Sequence, residues 1–524
     1  MTKLSKAHTA AGRYEALVSE REPFLRRARE CAELTVPTLM PPAGHNGSTE
    51  YYTPWQGTGA EGLNNLSSKL LLALFPPNSP FFRMSIDDFA LEELTQQKGA
   101  RAEIEKALNR YERAVAGEVE SRAIRNSAFE ALKQLVLSGN TLLYIGEEPG
   151  AMRVFRLDRY VVLRDPSGNP LEMVVREDVA LAALPDEVQE MLKDAANGKP
   201  SDPLKTLQLY TWIKRVKNKW TVHQEINGLV VPESEGAYPM DRCPWLPLRF
   251  SRIDGESYGR GYVETMMGDL RALEGLAQAI VEGSAAAARL LILVNPNGTT
   301  RAEDVTDSEN GAAIAGQEGD VAMLQTNKAS DFRVALETIN NIERRLSRAF
   351  LMNASVQRPG ERVTAEEIRF MAGELEDTLG GVYSVLSQEL QLPLVKLLIA
   401  AMEKGRRLPA LPKAMVKPVI TTGLEALGRG HDLNKLQLFA QALSALGPDT
   451  LRAELNVSDF VTRIGAALGI DTNGLVKSPE QKAQEAQQAQ QQQMMMEAMA
   501  KLGPGAMNIA RDQMAPQAAA APPQ

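Results

Sequence analysis

The chain has 524 residues, 44% hydrophobic and 24% charged, an ordinary globular composition with room for roughly two to four compact units. Its 66 acidic and 58 basic residues leave a formal net charge of -8. That argues against a tight, sequence-independent nucleic-acid clamp but leaves open a path for sliding nucleic acid, where every phosphate contact held raises the barrier to the next step.

Cys31 and Cys243 form no Cys-x-x-Cys pattern, and no secretory leader is visible. The apolar runs Leu70 to Phe75 and Ala285 to Val294 are too short to span a bilayer. A reduced, soluble, intracellular protein without stable membrane insertion is expected. Ala11 to Leu34 reads as a helix containing Pro23, followed by a loop over Pro37 to Thr49. After Thr53-Pro-Trp-Gln-Gly57 a second helix puts Leu63, Leu66, Leu70 and Leu74 on one stripe and stops at Pro76-Pro77. A third runs from Ile124 to Ser138 and closes on Gly139-Asn140, after which Thr141 to Ile145 takes the alternation of a strand.

Strands then dominate. Arg153 to Leu157, Tyr160 to Arg164 and Leu171 to Val175 are parted by turns such as Asp165 to Pro170. Thr206 to Lys214 and Trp220 to Ile226 form a hairpin, and Asn227-Gly228 turns the chain into Leu229 to Val231. The first half is therefore an α+β body. Past Tyr258-Gly-Arg-Gly261, which reads as a turn, Val263, Met266, Leu270, Leu273, Ala277, Ile280, Ser284 and Ala287 share one stripe. They predict a helix of about 28 residues, roughly 42 Å long. Small residues from Gly283 to Ala288 permit close helix packing at its far end. A polar, Gly-rich insert follows, Leu290 to Lys328, strand-like at Leu290 to Val294 and Asp320 to Leu324.

Two amphipathic helices occupy Asp331 to Leu392. The first carries Phe332, Leu336, Ile339, Ile342, Leu346 and Ala349 on one side, with Arg344, Arg345 and Arg348 near its C-terminus, where cations suit the helix dipole. A loop, Asn353 to Val363, bears Gln357, Arg358 and Arg362. The second helix opens on a capping box: Thr364 accepts from the amide of Glu367 while Glu367 reaches back to the amide of Thr364, and Val363 and Ile368 form a hydrophobic staple. The stripe of Ile368, Met371, Leu375, Leu379, Val382, Leu386 and Leu390 outweighs the cost of Gly380-Gly381, about 1 kcal/mol per glycine. Those glycines mark either a bend or a close backbone neighbour. The loop tip is thus a basic element with a fixed entry angle; the alternative is a solvated loop whose arginines only cap or solubilise. Helix continues past Pro393 to about Gly405, breaks across Arg406 to Pro418, and resumes over Leu424 to Leu446 and Val457 to Leu468. From Glu480 the chain is low-complexity and is expected to be a mobile tail.

Catalytic patterns are missing. No phosphate-binding Gly-x-x-x-x-Gly-Lys-[Ser/Thr] loop occurs, nor a Gly-x-Ser-x-Gly elbow. His8, His45, His223 and His431 are scattered and read as surface or turn residues. Glu366 and Glu367 are explained by capping and the dipole. No catalytic residue, metal ligand or cofactor is expected, and the chain is not expected to be an enzyme.

Several stretches resemble the portal, or head-to-tail connector, proteins of short-tailed T7-like bacteriophages: Tyr52 to Gly57, Gly62 to Leu66, Ala131 to Leu135, Asp254 to Gly259, Val356 to Ile368, Gly373 to Gly381 and Thr422 to Gly428. The resemblance, over roughly residues 10 to 480, implies a mainly helical α+β portal fold that forms a ring. It implies a wing over 1–258, a first stem helix over 259–289, a clip over 290–329 and a second stem helix over 330–352. The tunnel loop would be 353–363, a long helix returning through the wing 364–418, a helical crown 419–479 and the tail 480–524. Gln357, Arg358 and Arg362 would then line a DNA channel, with Val363, Thr364, Glu367 and Ile368 supporting them. The implied partners are further copies of the chain in a homododecamer, double-stranded DNA passing non-specifically, a terminase packaging motor, a tail adaptor, major capsid and scaffolding proteins, and internal core proteins. The implied place is the head-tail vertex of the virion, after assembly in the host cytoplasm. The alternative is another structural ring or tail adaptor of the same junction.

Overall fold

The computed structural model describes residues 8–77, 81–86, 100–146, 152–195, 204–287, 291–324, 329–352, 381–409 and 416–420, with Gly150, Asp202, Leu375, Leu379 and isolated positions from Leu438 to Met496. The chain divides into two compact units, Met1–Leu427 and Gly428–Gln524. The second is described only at single helical positions, among them Leu438, Phe439, Phe460 and Val461. The expected crown helices and tail otherwise lie outside the described residues.

The first unit opens with α1 (Ala10–Glu33), α2 (Thr58–Leu74), β1 (Phe82–Ile86), α3 (Ala100–Ser121) and α4 (Ile124–Ser138). Leu63, Leu66, Leu70 and Leu74 of α2 are all fully buried, as their spacing predicts. β1 and α3 go beyond the elements read from sequence. Strands follow: β2 (Asn140–Tyr144), β3 (Arg153–Phe155), β4 (Tyr160–Arg164) and β5 (Pro170–Ala180), then α5 (Asp186–Ala195). Next come β6 (Thr206–Val216), β7 (Lys219–Ile226), β8 (Leu229–Val230), β9 (Gly236–Pro239) and β10 (Trp245–Arg249). β4 to β7 form an antiparallel meander, with β8 and β9 both paired to β7. β10, β2 and β3 form a second antiparallel sheet. Asn227 and Gly228 hold φ of 53° and 78°, the two left-handed residues that a tight hairpin turn requires.

The long helix α6 (Tyr262–Ala287) has 26 residues, about 39 Å at the α-helical rise. The insert contains β11 (Leu291–Val294), α7 (Ala302–Thr306) and β12 (Val321–Leu324), with β11 and β12 paired antiparallel. α8 (Ala329–Ala349) returns antiparallel to α6. Leu375, Leu386 and Leu390 of the next stripe are buried, and Leu379 and Val382 are half-buried.

Helix α9 (Val382–Leu386) passes through a π turn, Ser387–Gln391, into α10 (Leu392–Lys404). Pro393 has no N–H to give and its ring crowds the carbonyl four residues back; the wider π turn just before it relieves that clash. A Cβ on Gly381 would meet nothing within 4 Å, so close approach of a neighbour does not explain this glycine. Helix α10 stops at Lys404, in keeping with the break expected across Arg406 to Pro418, and at the end of the 364–418 segment β13 (Val416–Ile420) is a strand paired with β1, which the sequence reading did not include. The helix is capped at Gly405, and Pro418 is tolerated because among the described residues β13 pairs on one edge only, with β1.

One core joins α1, α2, α4, α6, α8 and α10 with the smaller sheet. Helix α4 ends on Gly139 in the left-handed region, φ 76°, with its N–H on Leu135 O at 2.8 Å. A Cβ there would lie 2.3 Å from Arg260 C and 2.5 Å from Gly261 N. Gly139→Ala should therefore cost more than about 2 kcal/mol, combining left-handed strain with a backbone clash. A denaturant midpoint unchanged from wild type would refute this.

Candidate functional site at the root of the helix pair

The root of α6 is bound to the end of α4 by backbone contacts that only glycine permits. A Cβ on Gly261 would sit 2.4 Å from Leu137 O, and one on Gly259 would sit 2.7 Å from both Gly139 O and Ser251 O. Across this crossing the buried Asn140 side chain makes a two-way pair with Gly259: its Nδ2 donates to Gly259 O at 2.8 Å, and Gly259 N donates to its Oδ1 at 2.7 Å. Leaving those two buried backbone groups unpaired would cost about 1–3 kcal/mol each. Tyr258, buried beside them, accepts from Val162 N at 3.0 Å, and burial raises its phenol pKa so that it stays neutral. Arg260 donates to Glu256 and Glu264, and its guanidinium and that of Arg27 each lie over the Phe24 ring, 5.0 Å from its centre.

Farther along α6, buried Glu274 accepts from Tyr52 Oη at 2.5 Å, Trp55 N at 3.0 Å and Gln56 N at 3.3 Å. It thereby fixes the loop before α2. Gly283 faces the Phe332 ring of α8, where a Cβ would come within 2.8 Å, so the small-residue end of α6 does allow close helix packing. Asp269 and Arg345 pair across the two helices at 2.8 Å.

At the C-terminus of α8 the carbonyls are taken by side chains of other helices. Tyr262 Oη donates to Ala349 O at 2.9 Å, Asn65 Nδ2 to Phe350 O and Leu351 O at 2.9 Å each, and Lys69 Nζ to Leu351 O at 2.7 Å. A buried ammonium is favoured there because the helix dipole is negative at that end. The expected site residues Gln357, Arg358, Arg362, Val363, Thr364, Glu367 and Ile368 all lie outside the described residues. What the structure gives is the anchor from which their loop departs.

At the opposite end of the helix pair the insert is tied by Asp320. Its Oδ2 accepts from the amides of Thr299 (2.8 Å), Thr300 (3.2 Å) and Gln317 (3.4 Å) and from the Thr299 and Thr300 hydroxyls. These bonds, the Thr299 hydroxyl foremost, hold the carboxyl below its ordinary pKa. Residues 301–319 are exposed apart from half-buried Val305 and carry Glu303, Asp304, Asp307, Glu309 and Glu318 against Arg301.

A family model described as bacteriophage head to tail connecting protein matches residues 7–476. The chain belongs to that family. The portal protein of Escherichia phage T7 is 44% identical over 515 residues, 97% of this chain and 94% of the relative. The portal protein of Enterobacteria phage T3 is 43% identical over 476 residues, 90% and 89% of the two chains. A solved neck of an empty GTA particle, computed with C6 symmetry, aligns at 15% identity and a TM-score of 0.39, covering 79% of this chain and 90% of that one.

Within this head-to-tail connecting chain, both cysteines are buried free thiols whose pKa burial pushes up to about 12. His8 is exposed and His45 lies in a loop, but His223 corrects the surface-or-turn expectation: it is half-buried in β7, with Nε2 2.9 Å from Glu225 Oε1. Thr221 to Gln224 of β7 are all half-buried, and the buried Glu225, two residues on, shares the face of His223 and pairs with it. Among the described residues no helix is long and apolar enough to cross a membrane. Sequence reading missed Asn65, Lys69, Asn140, Glu274 and Asp320. For two of them a signal existed: Lys69 and Glu274 are charged residues on otherwise apolar helical stripes, at spacings of three and four from Leu66 and Leu270.

Because the Asp320 carboxyl is depressed in the folded state, its contribution is complete above the ordinary carboxylate pKa, about 3.9, and is lost as pH falls through the lower folded value. Amide protection at Thr299 and Thr300 should stay flat from neutral pH to about pH 4 and fall only below it. In Asp320→Asn it should already be reduced at neutral pH and lose that acid dependence. Equal protection of both proteins at neutral pH would contradict the role of the carboxylate.

Proposed function

We propose that this chain is the portal subunit of a bacteriophage, which assembles as a homododecameric ring at the head-tail junction and forms the channel for packaging and ejection of double-stranded DNA. The observation that carries the reading is near full-length likeness to the head-to-tail connecting family and to the T7 and T3 portal proteins. The α6–α8 pair adds geometric support, since it has the insert at one end and the root of the 353–363 loop at the other. Further support comes from apolar residues that a single copy leaves exposed: Val281, Val334 and Leu336 on the helix pair, and Ile292, Leu293 and Val321 on the insert. Neighbouring copies in a ring would cover such surface.

On this reading 1–258 is the wing, 259–289 and 330–352 are the stem helices, 290–329 is the clip that meets the packaging motor and later the tail adaptor, and 353–363 is the tunnel loop. The segment after it passes back through the wing, 419–479 is the crown, and 480–524 is a tail without a core. Capsid, scaffolding and internal core proteins surround the ring, which is assembled in the host cytoplasm before it becomes part of the virion. The chain itself catalyses nothing; ATP hydrolysis belongs to the terminase motor.

Arg358 and Arg362, repeated around the ring, set separate positive charges near passing phosphates, while the net charge of -8 per chain keeps the duplex from adhering. Neither arginine reads base edges, so translocation is independent of sequence. The double variant Arg358→Ala, Arg362→Ala should form rings as well as wild type but yield fewer filled heads or heads that lose DNA. Packaged genome length and filled-head yield equal to wild type would sink this role for the loop.

A further inference from the structure

The return helix of the pair ends on a residue whose backbone would suit glycine. Leu351 holds φ 55°, in the left-handed region where a bulky residue is an outlier. Its N–H donates to Arg348 O at 3.1 Å and the N–H of Met352 donates to Ser347 O at 2.7 Å, the two bonds of a Schellman ending. Strained backbone of this kind persists only where the surroundings over-determine it.

The surroundings do so here. The Leu351 side chain is buried, and its carbonyl accepts from both Asn65 Nδ2 and Lys69 Nζ. The preceding carbonyls, Phe350 and Ala349, go to Asn65 and Tyr262. α2 reaches this position because Gly62 lies against the Phe350 ring, where a Cβ would come within 2.6 Å. Three successive peptide groups are therefore oriented by donors from two other helices. Burying an ammonium group is a costly way to fill space, since an apolar side chain of similar length would pack without desolvation. What the ammonium adds is direction.

We infer that Asn65 and Lys69 of α2 are positioning residues for DNA handling: they hold Leu351 left-handed and so set the direction in which the chain leaves α8 for the loop bearing Arg358 and Arg362. The inference rests on the portal reading. It gives α2 a task separate from the core packing of its leucines. It also makes the first fixed point of the loop a property of the body, not of the loop's own sequence.

Lys69→Met keeps the length of the side chain and deletes the donor. Its rings should form in wild-type yield. Amide exchange at Leu351 and Met352 should quicken by about tenfold or more, as expected when a bond from a charged donor is lost. Filled heads should lose nuclease-protected DNA faster than wild type. Adding Leu351→Gly, which adopts the left-handed region freely, should bring retention back toward wild type although a buried leucine is sacrificed. A merely structural lysine predicts the reverse, a double variant worse than either single one.

Unchanged exchange overturns the proposal, as does unchanged retention in intact rings or a double variant that leaks more than Lys69→Met alone. Should Lys69→Met fail to form rings, the same comparison is made with Asn65→Ala, which removes the other donor, and the same outcomes decide. Absence of the wild-type chain from the DNA-entry vertex of filled heads would instead overturn the portal reading itself.

Discussion

Where α4 ends and α6 begins, two backbones cross closer than any Cβ would allow. Gly139, Gly259 and Gly261 make that approach possible, and the Asn140 amide holds it with paired bonds to Gly259. The rest of the helix pair extends from this crossing like an arm. Over about 39 Å, a tilt of roughly 10° at the root would carry the far end by about 7 Å. On the proposed portal reading the insert would meet a partner in register only if the root is stiff, and the directional bonding gathered there fits that requirement. Glu274 extends the same control farther out by tying the Tyr52–Gln56 loop to the middle of α6.

Both ends of the arm use buried or half-buried polar groups in the same way. At the root, Lys69, Asn65 and Tyr262 collect the last carbonyls of α8. At the insert, Asp320 gathers amides and hydroxyls from Thr299, Thr300 and Gln317. An ammonium suits the carbonyl end of a helix and a carboxylate suits converging N–H groups, so each end is held by the charge its backbone selects. The apolar faces between them, with Val281, Val334 and Leu336 still exposed, are what a ring of copies would close.

Periodicity made the helices α1, α2, α4, α6 and α8 readable in the sequence, along with the β6–β7 hairpin and the insert between two long helices, because each repeats one spacing over many residues. Gly139 was readable as a terminator because left-handed backbone selects glycine. β1 and β13 were not: they are five residues each and pair across more than 300 residues of chain, so neither carries a local signal. Of the candidate site, the loop's charge and capping pattern could be read, whereas its anchor could not. A hydrogen bond from Lys69 to Leu351 joins residues 282 apart, and only the fold brings them together. Lys69 on a leucine stripe was the visible hint to that anchor, as Glu274 was to the tie farther along α6.

Electron microscopy of the purified full chain tests the central claim most directly. The account predicts a twelve-fold ring with a central hole, the helix pairs lining it and the inserts gathered at one end. A monomer, or an assembly without a central opening, would contradict it.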